Sequence, residues 1–286
     1  MSSNSILVLG SLHYDILLES ENLPRTGETI IGKKWYPKLG GKGGNQAIAA
    51  SSYPAPTKLI SAVGDDSFAT YILENINKTK VDTTFVQILK NCKSGMSVAI
   101  SKTTGDYGAI VVSGANYFID PKIFDNSDVW ENTEILMIQN ELQEETNLLA
   151  ATKAKKQGLK IVYNAAPAKK INPNFYELVD ILIVNTIEAE DITQKKITNL
   201  SDIFEASKLL ANNFPIVIIS SGELGVVMCE KQKDPLHFKG NNVQVKSTHG
   251  AGDMFAGTLC ACLISRKNIN QAIDIANQKA AEFVSN

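Results

Sequence analysis

Short runs of β-branched and apolar residues alternate along this chain with longer stretches in which apolar positions recur at helical spacing. The alternation is typical of a mostly parallel sheet whose strands are joined by crossover helices. The pattern predicts strands at 6–10, 58–62, 135–139, 160–164, 181–184 and 216–220. It predicts helices at 68–77, 144–157, 203–212, 254–264 and 269–284. The predicted fold class is therefore α/β.

Two segments, roughly 13–38 and 95–112, break this pattern. Polar and apolar residues alternate along them, and Thr104, Gly105 and Asp106 are typical of a hairpin turn. This predicts strands of a separate small sheet rather than further strand–helix units. Because the segments lie before and between two glycine-rich segments described below, we expect the small sheet to cover a site as a lid that excludes water.

The composition narrows the class of partner. The chain has 286 residues and 44% hydrophobic content, which suits one large α/β domain or two smaller ones. Its net charge is −2 and it contains no basic block, so nucleic acid and anionic membrane surfaces are not expected partners. We expect a small-molecule ligand.

The start of the chain lacks the features of a targeting segment. Residues 1–5 carry no basic side chain, and the apolar run 6–9 is too short for a signal peptide or a membrane span. We therefore expect a cytoplasmic protein. The cysteines and histidines show no metal-ligand spacing: Cys92, Cys229, Cys260, Cys262, His13, His237 and His249.

The segment 247–257, Ser-Thr-His-Gly-Ala-Gly-Asp-Met-Phe-Ala-Gly, places glycines immediately before a predicted helix. Glycine lets backbone N–H groups converge at a helix start, which is a ready anion site. Asp253 lies in the same turn, where a carboxylate can accept a proton beside a transferring phosphoryl group. Alternatively, Asp253 caps the helix and suits the positive end of its dipole. The segment alone leaves both interpretations open.

A second glycine-rich segment, 39–47, precedes a helical stretch at 47–52. Gly43 rather than Ser or Thr follows Lys42, so the segment is not a P-loop of Walker type. A solvated loop lysine is the alternative interpretation of Lys42. Two such segments, far apart in the sequence, favour a phosphotransferase.

Seven short motifs, in order along the chain, carry a family resemblance. They are 10–15 (Gly-Ser-Leu-His-Tyr-Asp), 24–29 (Pro-Arg-Thr-Gly-Glu-Thr), 40–47 (Gly-Gly-Lys-Gly-Gly-Asn-Gln-Ala), 64–66 (Gly-Asp-Asp), 164–168 (Asn-Ala-Ala-Pro-Ala), 185–190 (Asn-Thr-Ile-Glu-Ala-Glu) and 250–253 (Gly-Ala-Gly-Asp). With them the chain resembles the ribokinase-like carbohydrate kinases, also called the PfkB family, over nearly its whole length. The resemblance implies a three-layer sandwich with a mostly parallel central sheet and a small β-sheet lid, built as one domain over 1–286.

The resemblance also implies a catalytic centre at 250–253. Asp253 matches the family's general base, which takes the proton of a primary hydroxyl as that hydroxyl attacks the γ-phosphorus. Gly250, Ala251 and Gly252 match the anion hole, whose N–H groups stabilise charge on the transferring group.

Binding residues follow from the same resemblance. The family's sugar-binding positions match Asp15, Gly41, Lys42, Asn45 and Glu141. Its nucleotide side matches Asn185, Ser220, Gly222, Gly225 and Asn277. Asn185 and Glu188 match an Asn-x-x-Glu motif that orders Mg²⁺ and the phosphates through water. Glu141 is also compatible with an exposed helix start, and Asn277 with an exposed helix face.

Three features depart from the family's pattern. His13 stands where the family's ribose kinases carry an Asn that contacts the sugar, which changes the donors and acceptors offered to the substrate. Ser247 replaces an Asp that helps to hold a monovalent cation, and the chain ends at Asn286, where those kinases continue with a glycine-containing loop that supplies carbonyls to the same cation. We therefore expect potassium activation to be absent or much reduced.

The predicted function is Mg·ATP-dependent phosphorylation of a primary hydroxyl on a sugar. D-Ribose to D-ribose 5-phosphate is the leading reaction, because 40–47 has the form found in the family's ribose kinases. A nucleoside, pseudouridine included, or another sugar is the alternative acceptor, and His13 favours it. The alternative from another class is a non-catalytic sugar or nucleotide sensor, although such a sensor needs no base at Asp253. A homodimer is expected through apolar residues of the lid, such as Ile16, Leu18, Ile30 and Val98.

Overall fold

The structure, a computed structural model, describes residues 4–102 and 107–285; the predicted turn at 104–106 lies outside them. The strands are β1 (Ser5–Leu9), β2 (His13–Ser20), β3 (Lys34–Gly40), β4 (Thr57–Val63), β5 (Val81–Asp82), β6 (Val86–Ile88), β7 (Gly95–Lys102), β8 (Tyr107–Val112), β9 (Thr133–Gln139), β10 (Lys160–Asn164), β11 (Ile181–Asn185), β12 (Ile216–Ser220), β13 (Val226–Glu230) and β14 (Leu236–Phe238). The helices are α1 (Lys42–Ser52), α2 (Ser67–Ile76), α3 (Ser127–Trp130), α4 (Glu144–Lys156), α5 (Thr186–Thr193), α6 (Leu200–Ala211), α7 (Ala251–Ile264) and α8 (Ile269–Ser285).

The large sheet has the strand order β14-β13-β12-β11-β10-β9-β1-β4-β5, with β6 also paired to β4. All pairings from β12 to β5 are parallel, and only β13 and β14 join antiparallel at one edge of the described sheet. The six predicted strands correspond to β1, β4, β9, β10, β11 and β12. The prediction of a mostly parallel central sheet is confirmed.

Successive residues of β1 point into two different apolar cores. Leu7 and Leu9 pack on the face covered by α4 and α6, whereas Ile6 and Val8 pack on the face covered by α1, α2, α7 and α8. All four side chains are fully buried. A strand that is apolar at every position is expected where helices cover both faces of a parallel sheet, so the architecture has three layers.

The second sheet has the order β3-β2-β7-β8, which confirms the small sheet predicted from the two alternating segments. The Tyr14 ring on β2 stacks on Phe68 of α2 with 4.1 Å between ring centroids. Tyr71 of α2 donates its hydroxyl hydrogen to the Pro37 carbonyl of β3 at 3.1 Å. These contacts hold the root of the small sheet against the helical layer.

Helix α1 begins at Lys42, so the prediction that this helical stretch starts at 47 is wrong. Glycines are poor helix formers, so the low helix propensity of residues 43–44 predicts a loop there. In the structure, a Cβ at Gly43 would lie 2.4 Å from the Gly10 carbonyl carbon, and one at Gly41 would lie 2.6 Å from the Ser11 carbonyl oxygen. The glycines therefore let the first turn of α1 pack directly against the backbone that leaves β1.

Candidate active site

A cavity of 260 Å³ lies where the carboxyl ends of the central strands face the small sheet. Asn164, Asn185 and Ser220 reach it from the last positions of β10, β11 and β12. Asp15 and Ser97 reach it from the small sheet. Ligands of open α/β sheets commonly bind at this end of the strands.

The carboxylate of Asp253 lies in this cavity, in the first turn of α7. Gly250 is the N-cap of α7 with φ 88°, and no side chain caps the helix start. Asp253 is 6% exposed, and burial raises its pKa above the ordinary value. Asn45 donates its amide hydrogen to Asp253 Oδ2 at 3.1 Å, and Gln46 donates to Oδ1 at 2.9 Å. The raised pKa makes Asp253 a better proton acceptor than a solvated carboxylate.

A close crossing of α1 and α7 brings Asp253 to its amide partners. A Cβ at Gly257 would lie only 2.4 Å from the Gln46 carbonyl oxygen. The glycine therefore allows the two helix backbones to approach, and the amides of α1 reach the carboxylate of α7.

At the small-sheet end of the cavity, Asp15 accepts a hydrogen bond from Ser97 Oγ at 2.5 Å. Asp15 is buried, and a Cβ at Gly40 would lie 1.8 Å from its Oδ2. Only glycine at position 40 leaves room for this carboxylate, which explains why the glycine-rich segment extends into β3.

Glu141 and His13 form a second polar group on the cavity wall. Glu141 accepts hydrogen bonds from Ser11 Oγ and from the Lys42 backbone N–H, the latter at 2.9 Å. His13 is buried, and its Nδ1 lies 4.0 Å from Glu141 Oε2. Burial acts to raise the pKa of Glu141, but the electrostatic effects of the neighbouring His13 and Lys42 and the two hydrogen bonds outweigh burial and lower it. Glu141 is therefore an ionised acceptor and not an exposed helix-start residue.

Asn185 and Glu188 form a capping box at the start of α5. The Asn185 side chain accepts from the Glu188 N–H, and Glu188 Oε2 accepts from the Asn185 N–H, both at 2.8 Å. Both residues line the cavity, and burial raises the pKa of Glu188. Mg²⁺ is commonly held by one or two carboxylates together with waters and substrate phosphates. Asn185 and Glu188 fit a metal of this kind, and among 4–102 and 107–285 no cluster of three or more His, Cys, Asp or Glu residues offers an all-protein cage.

The structure brings most of the predicted site residues together in this one cavity: His13, Asp15, Gly41, Lys42, Asn45, Glu141, Asn185, Glu188, Ser220, Gly250, Gly252 and Asp253. Ala251 does not line it, and its backbone N–H donates to the Thr248 carbonyl at 3.2 Å. Gly222 also lies outside, in a short 3-10 turn. The role of each residue stays a prediction.

Gly225 and Asn277 likewise do not line the cavity. A Cβ at Gly225 would lie 2.1 Å from the Phe238 carbonyl oxygen, and Asn277 donates its amide hydrogen to the Lys239 carbonyl at 2.9 Å. Gly225 therefore contacts the end of β14, and Asn277 contacts the chain that follows it. Their predicted nucleotide contacts are not tested by this geometry.

Gln46, Ser97 and Ser11 are not among the predicted site residues, although each bonds directly to a carboxylate of the cavity. Gln46 follows Asn45 in a motif already singled out, which was the available signal. Ser97 lies in the small sheet, and nothing in its local sequence distinguishes it from other strand serines.

Comparison with known proteins agrees with this geometry. The model of the family described as "pfkB family carbohydrate kinase" matches residues 3–286. The chain belongs to this family. As a pfkB carbohydrate kinase, it is a phosphotransferase that acts on an alcohol group, and the predicted family, fold and enzyme class are confirmed.

Several relatives of this pfkB kinase are ribokinases. The mouse (Mus musculus) ribokinase is 30% identical over 93% of this chain and 84% of its own length. The ribokinase of Staphylococcus aureus is 30% identical over 98% of this chain and 93% of its own. A solved structure of Arabidopsis thaliana ribokinase complexed with ribose and ATP superposes with a TM-score of 0.90 at 26% identity, over 99% of this chain and 93% of that one.

Within 4–102 and 107–285, no helix of this pfkB kinase combines the length and the apolar character that a membrane span requires.

Proposed function

We propose that this protein transfers the γ-phosphoryl group of ATP to the primary hydroxyl of D-ribose, forming D-ribose 5-phosphate. The observation that carries the proposal is the position of Asp253: a buried carboxylate at the uncapped start of α7, in a cavity that also holds Asp15 and Glu141. Ribokinases are relatives at 30% identity over most of this chain.

The chemistry begins with the acceptor hydroxyl against Asp253. As the hydroxyl oxygen attacks the γ-phosphorus, its proton passes to the Asp253 carboxylate, whose raised pKa favours that transfer. Negative charge on the transferring group lies beside the start of α7, where Gly250 and Gly252 line the cavity. Backbone N–H groups and the positive end of the helix dipole stabilise that charge.

The opposite end of the cavity suits a sugar. Asp15 and Glu141 are acceptors for sugar hydroxyls, and Lys42 and Asn45 carry donors. A buried site that pairs each hydroxyl discriminates strongly against an acceptor that lacks one. The small sheet supplies Asp15 and Ser97 and covers this end, which fits the predicted role of a lid.

The nucleotide end is assigned to Asn185, Glu188 and Ser220. Mg²⁺, when bound, neutralises charge on the phosphates of the nucleotide. Asn185 and Glu188 would hold it through water, because both line the cavity at the carboxyl end of β11 and the start of α5.

A second candidate acceptor is a nucleoside or another sugar, and His13 favours it. Its ring occupies the cavity wall beside Glu141, so it contacts the part of the acceptor that Glu141 orients. The test of the function is a panel of ribose, 2-deoxyribose, other pentoses, ketohexoses, adenosine, inosine and pseudouridine, with ADP release as the readout. Turnover of ribose with the largest kcat/KM supports the proposal, and no turnover of ribose overturns it.

We also propose that potassium activation is absent or much reduced. Ser247 offers a neutral hydroxyl, which accepts from the His249 N–H at 3.3 Å, and the nearby Val284 carbonyl accepts from the Lys246 N–H at 2.8 Å. A neutral hydroxyl is a weaker ligand for a monovalent cation than the carboxylate that the family's pattern has at 247, and this supports the proposal. Initial rates in potassium and in a bulky organic-cation buffer at equal ionic strength test this, and a large saturable stimulation by potassium overturns it.

The proposal further includes one kinase domain over 1–286, a cytoplasmic location and a homodimer formed through the small sheet. Four unpaired cysteines suit a reducing compartment.

Trp35 and Ile110 of the small sheet are 62% and 74% exposed, which supports a partner surface on this sheet. Light scattering of the purified protein tests the dimer, and replacement of Ile110 by Lys should shift it to the monomer.

A further inference from the structure

Two buried glutamines outside the cavity wall lead in a line to the carboxylate of Asp253. Gln139 donates from Nε2 to Gln46 Oε1 at 2.6 Å, and Gln46 donates from Nε2 to Asp253 Oδ1 at 2.9 Å. Both glutamines are fully buried, and neither lines the cavity. We infer that Gln46 and Gln139 are positioning residues, an amide relay of fixed direction that holds Asp253 ready to accept the proton. This inference rests on the proposed function of Asp253.

The direction of the relay follows from the chemistry of its members. An ionised carboxylate only accepts hydrogen bonds, so Gln46 has to present its NH₂ group to Asp253. The Gln46 oxygen then faces Gln139, which has to present its own NH₂ group. Each amide thus determines the orientation of the next, and the donors all point toward the base.

Gln139, the end of the relay farther from Asp253, is arranged in a way that does not favour stability of the fold. Gln139 Oε1 is buried and has no hydrogen-bond partner among the described residues. It lies against Gly10, where a Cβ would be only 2.1 Å from it. A buried unpaired oxygen is unfavourable, and an apolar side chain of similar size would avoid that cost. The arrangement is explained if the orientation of the Gln139 amide is what the site requires.

The backbones on both sides of the relay are held by close contacts. The Gln139 carbonyl accepts from Asn147 Nδ2 at 2.6 Å, and the Gln46 carbonyl lies at the tight crossing with Gly257. Because these backbones are fixed, the main freedom left to each side-chain amide is a flip that exchanges its oxygen and its NH₂ group. Gln139 opposes that rotation in Gln46.

The consequence for catalysis concerns the ionised state of Asp253. Burial raises the pKa of this carboxyl, and the charge of Glu141 acts in the same direction. The charge of Lys42 and the hydrogen bonds from Asn45 and Gln46 act to lower the pKa. If Gln46 turned its oxygen toward Asp253, it would favour the protonated acid, which cannot act as the base. Removal of Gln139 should therefore reduce kcat and move the acidic limb of the pH profile upward, while the KM for the sugar changes little.

The experiment uses Gln46→Met, Gln139→Met and the double variant in the full chain, with the acceptor that the wild type turns over fastest. Misplacement of a reacting group costs up to about 100-fold, so we expect kcat at pH 7 to fall about 10- to 100-fold in each single variant. The acidic limb of kcat against pH should shift upward in Gln139→Met. Since Gln139 acts through Gln46, its replacement should have no further effect in the Gln46→Met background.

The matched control is Ser207→Ala, which removes a buried hydroxyl that bonds the Phe204 carbonyl within α6. Its kcat and pH profile should equal those of the wild type. The relay is overturned if folded Gln139→Met keeps the wild-type kcat and pH profile, if its effect is the same in both backgrounds, or if the loss is confined to KM. If Gln139→Met does not fold, Gln139→Asn, whose shorter amide cannot reach Gln46, is subject to the same outcomes. Absence of turnover in the wild type would contradict the proposed function instead.

Discussion

The helices α5 and α7 both begin at the cavity, and each carries an acidic residue as the third residue of its first turn. In α5 that residue, Glu188, accepts from the Asn185 N–H while Asn185 caps the helix in return. In α7 the residue is Asp253, the N-cap is Gly250, and no side chain caps the helix. Asp253 is instead held by two amides of α1. The same local sequence signal thus occurs at a helix start that is capped by side chains, in α5, and at one that is not, in α7.

An acidic residue near a helix start is ambiguous in sequence. An acidic residue in the first turn is favourable in either setting because of the helix dipole. What separates the two residues is the partner: Glu188 is bonded to the backbone of its own helix, and Asp253 to side chains of another. The alternative that Asp253 simply caps α7 is therefore not what the structure shows.

The comparison is tested most strongly by Asp253→Asn. If Asp253 is the base, kcat should fall about 10²–10⁴-fold, the usual range for loss of general-base catalysis, while the Kd for the sugar changes little. Asp202→Asn is the matched control, because Asp202 occupies the same position in the capping box of α6. If Asp253→Asn kept the kcat of an active wild type, Asp253 would not be the base. If the wild type itself showed no turnover, the sensor hypothesis would be favoured instead.

The pH dependence distinguishes the two carboxylates. Burial raises the pKa of Asp253 above 3.8, and the base works only when deprotonated, so kcat should be lost as pH falls through that raised pKa. Below it the rate should drop about tenfold per pH unit. The measurement is kcat against pH at saturating sugar and MgATP. The same loss of kcat at acidic pH should be seen in Glu188→Gln. If it were absent from that variant, the titrating group would be Glu188 and not Asp253.

Replacement of Glu188 by Gln should have a smaller effect of another kind. The Gln carbonyl can still accept from the Asn185 N–H, so the helix start is kept while the charge is lost. The Mg²⁺ concentration needed for half the maximal rate should rise about 10-fold. Glu190→Gln on the same helix is the control, and it should not alter the Mg²⁺ dependence. An unchanged Mg²⁺ dependence in Glu188→Gln would contradict the metal assignment.

The smallest expected effect is on stability. Asn185→Ala removes the cap of α5 and should lower the free energy of unfolding by about 1 kcal/mol, measured by urea denaturation. Asn199→Ala removes the corresponding cap of α6 and should cost about the same. Only Asn185→Ala should also reduce kcat, because Asn185 lines the cavity and α6 begins away from it. Equal effects of the two variants on kcat would show that Asn185 acts only as a cap.

Much of the fold follows from local pattern. The six central strands are apolar at nearly every position and are bounded by turns, which is why the sequence predicts them well. The sequence pattern places the start of α1 too late because Gly43 and Gly44 disfavour a helix by propensity. Close packing of Gly43 against Gly10 and Ser11, which only the tertiary structure shows, explains the glycine there. The antiparallel strands β13 and β14 are not among the predicted elements. The three residues of β14 carry too weak a pattern to predict a strand, whereas β13 is as long and as buried as the predicted strands β10 and β11.

Burial periodicity and ordered motifs are local properties, so the α/β class, the family and the residue types at the cavity follow from the sequence alone. Which of these residues touch depends on the tertiary structure. Gln46 and Ser97 reach the carboxylates of the cavity only because α1 crosses α7 and the small sheet lies over the cavity, and the same crossing places Asp253 against the amides of α1. Hydrogen-bond partners more than 80 positions apart in the chain leave no local signal, and the electrostatics of the site depend on them.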